Sequence, residues 1–251
     1  MSQGVWTGAP ADVNWCEPDF VWTPWVAEPL NTLSSLPMVA LGLYGAWRVW
    51  RSDLVQERRF LINYVGLGVV GVGSAAFHGT LLRWAQALDE LPMVWLGLVG
   101  VWTVWQRAQP RGTGKALAVV ALVFAALFTT AYLQAPAFFT VFIATYALCA
   151  AYMVLAAIRW TYVNPSPPVL RRVFAWSALT YLGTLAFCWI PEHVLLPCDS
   201  LVQAIPLHAL WHLGAGFGTY LWILWSILDR RRVEGSALAL DGKPVPFVQR
   251  A

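Results

Sequence analysis

Apolar and polar positions alternate along the chain in long blocks rather than in short amphipathic periods. Apolar runs occupy residues 30–50, 60–82, 86–105, 116–133, 138–158, 173–190 and 207–228, separated by short polar connections. A helix needs about 20 predominantly apolar residues to cross the hydrocarbon core of a bilayer. The pattern therefore predicts an all-α membrane protein, a bundle of seven transmembrane helices. Residues 1–29 precede the bundle as a polar, turn-rich segment, residues 30–229 form it, and residues 230–251 follow as a flexible tail.

Composition agrees. Hydrophobic residues make up 59% of the chain and charged residues only 12%, against about 25% charged in an average soluble domain. There are 16 tryptophans, and those near run ends, such as Trp22, Trp25, Trp84 and Trp105, suit the membrane–water interface. The dispersed basic residues form no compact face for nucleic acid. Every Lys and Arg except Arg83 falls on one side of the seven-span arrangement. By the positive-inside rule the C-terminus is cytoplasmic and the N-terminus outside or lumenal. Residues 1–29 have no basic stretch leading into an apolar one, so no signal peptide is expected and the first run directs insertion. The expected location is a multi-pass position in a bacterial plasma membrane or a eukaryotic ER, Golgi or plasma membrane.

Polar groups inside apolar runs are costly and need a reason. Ser74 and His78 lie near the end of the second run, Asp89 near the start of the third, and His208 and His212 at the start of the seventh. In the seven-span arrangement all five fall at the same, non-cytoplasmic end. His208 and His212 are four residues apart and share one helix face. Three imidazoles with a water in the fourth position compose an open catalytic zinc site, where the water's pKa falls towards about 7. Asp89 can serve there as general base or orient a ligand. Ser74, one turn before His78, can donate to a developing oxyanion. Simpler roles exist: Ser74 bonding the carbonyl one turn back, and Asp89 capping the third helix.

The order of these motifs resembles the CREST superfamily of membrane hydrolases. Within it, Asn14-Trp15-Cys16-Glu17, the stretch from Ala27 to Ser34, Gly73-Ser74 to His78, Leu88-Asp89-Glu90-Leu91-Pro92 and His208 to His212 resemble the alkaline ceramidases over nearly the full chain. The resemblance implies zinc on His78, His208 and His212, catalysis by Ser74 and Asp89, and hydrolysis of the amide of an N-acyl sphingoid base such as ceramide. It also implies a calcium site formed by Asn14, Trp15, Glu17, Asp19 and Glu28, whose oxygens suit Ca²⁺. This chain departs from the family pattern there, with Asn14 for a usual Asp and Asp19 for a usual Asn. The implied partners are a ceramide-like substrate and membrane lipids, with no nucleic acid and no obligate protein partner.

Two other readings fit parts of the pattern. One is a receptor-like seven-helix protein resembling the progestin and adipoQ receptors, with a structural zinc; the other is a hydrolase of a different N-acyl lipid. A transporter is disfavoured because paired half-helix signals are not visible. Cys16 and Cys198 fall on the same oxidising side and are candidates for a disulfide. Cys149 and Cys188 read as small buried hydrophobes. His193 is expected in a loop, unrelated to the metal.

Overall fold

A computed structural model describes residues 4–110, 113–135, 138–163, 165–198, 200–236 and 238–248. The described residues are helical and contain no strand, only isolated bridges. The helices are α1 (Pro29–Trp50), α2 (Arg58–Thr80), α3 (Arg83–Trp105), α4 (Lys115–Gln134), α5 (Phe139–Ile158), α6 (Pro168–Thr184), the short α7 (Ser200–Ala204) and α8 (Leu207–Val233). Among them, α2 to α6, with the turns that extend α3, α5 and α6, are long and apolar enough to cross a membrane. Neither α1 nor α8 meets the same measure. Both carry polar residues among apolar ones, including Asn31, Ser34, Ser35 and Arg48 on α1 and His208, His212 and Asp229 on α8.

Helix α8 is the hub, packed against α1, α2 and α6. Its Tyr220, Ile223, Leu224, Trp225, Ile227 and Leu228 lie in the main core with Tyr64, Leu170 and Phe174. Helices α4 and α5 sit at the periphery, exposing Val119, Leu122, Leu127, Leu148 and Leu155. In water so much contiguous apolar surface would be an aggregation hazard; in lipid it is the favoured exterior. Close approach at two glycines sets the first three helices. A Cβ on Gly42 would collide with the α2 backbone at Gly68, and one on Gly73 with the Leu88 carbonyl of α3. The second contact places Ser74 of α2 beside Asp89 of α3.

Residues 4–28 fold back over one end of the bundle. Their backbone pairs with the α2–α3 corner through Ala11 N to Leu81 O (2.9 Å), Arg83 N to Ala9 O (3.0 Å) and Ala27 N to Gly79 O (3.0 Å). Leu81, with φ +52°, closes α2 in the left-handed conformation. The Cys16–Cys198 disulfide ties this segment to the connection ahead of α7. Cys188 is buried and Cys149 partly so, both as free thiols.

The structure corrects three expectations. The sixth run does not give way to a loop near residue 190; wide π turns at Leu185–Trp189 and Pro191–Leu195 continue it, so Glu192 and His193 stand on the helical extension. A π turn uses the i→i+5 bond and so tolerates Pro191, which supplies no N–H. The third helix starts at Arg83, which puts Asp89 in its second turn. Finally, the expected flexible tail is docked. Phe247 and Val248 are buried, Asp241 pairs with Arg48 at 2.6 Å, and Tyr220 donates to the Pro246 carbonyl at 2.8 Å. Residues 237 and 249–251 of that tail lie outside the described residues.

Candidate metal centre

Three imidazoles meet where α2 ends and α8 begins. His78 comes from the last turn of α2, while His208 and His212 come from the first turns of α8. The ring centroids are 5.0 Å apart for His78 and His208, 4.8 Å for His78 and His212, and 4.5 Å for His208 and His212. One ring nitrogen from each lies within 4.8 Å of the other two, and all three residues are buried. Among the described residues no other group of His, Cys, Asp and Glu brings three ligand atoms so close.

The surroundings fix the rings. Nδ1 of His78 pairs with the Glu28 carboxylate. Nδ1 of His212 faces the Asn31 carbonyl at 3.1 Å and the Ser34 hydroxyl at 2.9 Å. His208 stacks on Trp15 with centroids 3.6 Å apart. Nε2 of His78 and Nδ1 of His208 are buried without a hydrogen-bond partner. Leaving such groups unpaired costs about 1–3 kcal/mol each. Three buried imidazoles with outer bonds on two of them and unpaired nitrogens turned inward are the donor set that zinc takes.

Ser74 and Asp89 lie on the wall of a cavity that His208 and His212 also line. Ser74 is buried, with its Oγ 2.9 Å from the Ser35 hydroxyl and 3.4 Å from His212 Nε2. This cavity has a volume of 420 Å³. Its remaining wall is mainly apolar, from residues such as Met38, Leu67, Val70, Met93, Phe142 and Ile143. A smaller cavity of 80 Å³ shares Leu96, Tyr146, Val154 and Tyr181 with it and extends the apolar space away from the histidines.

The acidic segment lies over the same end, in a different arrangement from the histidines. Glu17 accepts from the backbone N–H groups of Leu30 at 2.7 Å and Asn31 at 2.8 Å, thereby capping α1. Asn14 donates to Asp19 Oδ2 at 3.0 Å, and Asp19 Oδ1 is buried without a partner. Glu28 accepts from Trp15 N at 3.2 Å while also holding His78. Burial raises the carboxyls of Glu17 and Asp19 and pushes Glu28 up to about 8; at Glu17 the neighbouring Glu28 and Asp19 charges add to it.

Several contributors were not singled out in the sequence. Asn31, Ser34 and Ser35 face Nδ1 of His212; the first two lie in the stretch that carries the family resemblance, which assigns them no role. Glu90, next to Asp89, also lines the cavity and accepts from Gln86 and Tyr132, both at 2.7 Å. Buried Glu192 accepts from Cys16 N at 3.0 Å. His193 instead packs on Trp15, Trp189 and Phe139, outside the histidine cluster.

The chain is similar to several alkaline ceramidases. Mouse (Mus musculus) alkaline ceramidase 3 is 30% identical over 242 residues, covering 91% of this chain and 87% of that protein. The alkaline ceramidase of Arabidopsis thaliana is 27% identical, covering 88% and 85%. Human (Homo sapiens) alkaline ceramidase 1 is 27% identical, covering 80% and 76%. A family model described as Ceramidase matches residues 8–240, a span that takes in the acidic segment, all three histidines, Ser74 and Asp89, and the chain belongs to the ceramidase family.

Proposed function

We propose that this protein is a zinc-dependent integral-membrane amidase that cleaves ceramide into a sphingoid base and a fatty acid. The observation that carries this reading is the cluster of three buried imidazoles, two of which line a mainly apolar cavity together with Ser74 and Asp89. A zinc ion on His78, His208 and His212 would polarise the amide carbonyl and acidify a water. Asp89 takes the proton from that water as its oxygen adds to the carbonyl carbon, then returns it to the amide nitrogen as the C–N bond breaks. The Ser74 hydroxyl donates to the oxygen on which charge develops. Glu28, Asn31 and Ser34 hold the imidazoles in register, and the apolar wall takes the hydrocarbon chains away from water.

In the same reading, seven helices cross the membrane, α1 to α6 and α8, with the histidine end outside or lumenal and the C-terminus cytoplasmic. A calcium ion held by Asn14, Glu17, Asp19, Glu28 and the Trp15 carbonyl braces the segment over that end. The buried, unpaired Asp19 Oδ1 supports a cation there. A substrate screen tests the activity. Purified protein given ceramide should release fatty acid and sphingoid base in equal amounts; cleavage of other N-acyl lipids with ceramide left intact would reject the assignment.

A further inference from the structure

A third cavity, of 220 Å³, opens at the end of the bundle opposite the histidines. It is lined by the start of α2, the end of α3, the start of α4 and Arg230 of α8. Four cationic side chains reach it, those of Arg58, Arg59, Lys115 and Arg230, against the one carboxylate of Glu57. That carboxylate is already engaged, bonding Arg59 through one oxygen and Arg230 through the other at 3.0 Å. Arg230 is satisfied further by the carbonyls of Arg107 and Gln109, both at 3.0 Å.

Arg59 is not satisfied. It is 2% exposed, and its Nε and Nη1 have no hydrogen-bond partner. The indole N–H of Trp102, on the same wall, is also buried and unpaired. A buried guanidinium with two empty donor positions is a strong demand for an acceptor. Backbone groups reinforce it. Neither α2 nor α4 has a side-chain cap, and the residue just before α4 is Gly114, which has no side chain to supply one. Two helix N-termini without side-chain caps, each the positive end of a helix dipole, therefore flank the cavity.

We propose that this cavity binds a phosphate group, supplied either by free phosphate or by the headgroup of an anionic phospholipid. Arg59 and Trp102 donate from the floor, while the exposed Arg58 and Lys115 close over the mouth. The site is separate from the histidine cluster and does not depend on the proposed reaction.

The test is thermal unfolding of the full chain in phosphatidylcholine nanodiscs, with two probes. Inorganic phosphate is titrated against chloride of matched ionic strength, and phosphatidylglycerol is separately added to the nanodisc lipid. A saturable rise in Tm with inorganic phosphate identifies free phosphate as a source; a rise with phosphatidylglycerol alone identifies the headgroup. Trp102→Phe keeps an aromatic ring but removes the unpaired N–H together with the rest of the five-membered ring, and Arg58→Gln with Lys115→Gln alters exposed side chains. Each should raise the half-saturating amount of the effective probe about tenfold, the loss of one or two charge-assisted bonds. No Tm response to either probe in the wild type, or a response left intact by either variant, overturns the proposal.

Discussion

At the level of single residues, the metal centre divides into what sequence spacing reveals and what only folding reveals. His208 and His212 are legible because four residues make one helical turn and bring both rings to one face. Ser74 and His78 are legible for the same reason. The partner of His78 is not, since Glu28 lies 50 positions away and is expected from the sequence only as an implied calcium ligand. The account makes three predictions here. His212→Ala and Asp89→Ala should each leave a folded protein with ceramide hydrolysis lowered by about 10²-fold or more, and near-normal turnover by either contradicts its role. Ser74→Ala should lower kcat by about 10²-fold with little change in KM, as removal of one oxyanion donor does. Glu28→Gln should weaken zinc binding by about 10- to 100-fold, measurable by competition with a chelator, because His78 loses its orienting carboxylate.

The elements show a second limit of sequence reading. Runs of apolar residues located the long helices, but they misjudged where the sixth helix ends, because the apolar pattern gives way near residue 190 at Pro191, Glu192 and His193. The π turns around Pro191 absorb the missing N–H and carry Glu192 under the N-terminal segment. The docked tail was equally invisible, since residues 238–248 have no helical or strand period and are held by specific partners. Asp241 is the clasp. Burial pushes its carboxyl up, but bonds from Arg48 and from the Phe247 and Lys243 backbone outweigh this and hold it below its ordinary value of 3.8. A lowered carboxyl stabilises the docked form fully above 3.8 and loses that contribution as pH falls through the lower folded-state value. Asp241→Asn should therefore expose the tail to protease at neutral pH, where the wild type resists; equal cleavage of both would show that Arg48 contributes nothing to docking.

For the whole molecule, the polar machinery and the apolar exterior explain each other. Helices α4 and α5 face outward with few buried residues, whereas α8 is enclosed by α1, α2 and α6 and brings two histidines to the centre. The N-terminal segment is locked over that end by Cys16–Cys198 and by backbone bonds to the α2–α3 corner. The result is a buried, imidazole-lined pocket reached through apolar space, which suits a substrate that lives in the bilayer. The most direct test is fatty acid release from ceramide by the purified protein before EDTA treatment, after it, and after zinc is restored. The account predicts activity that vanishes with the metal and returns with zinc; undiminished hydrolysis by the metal-free protein would contradict it.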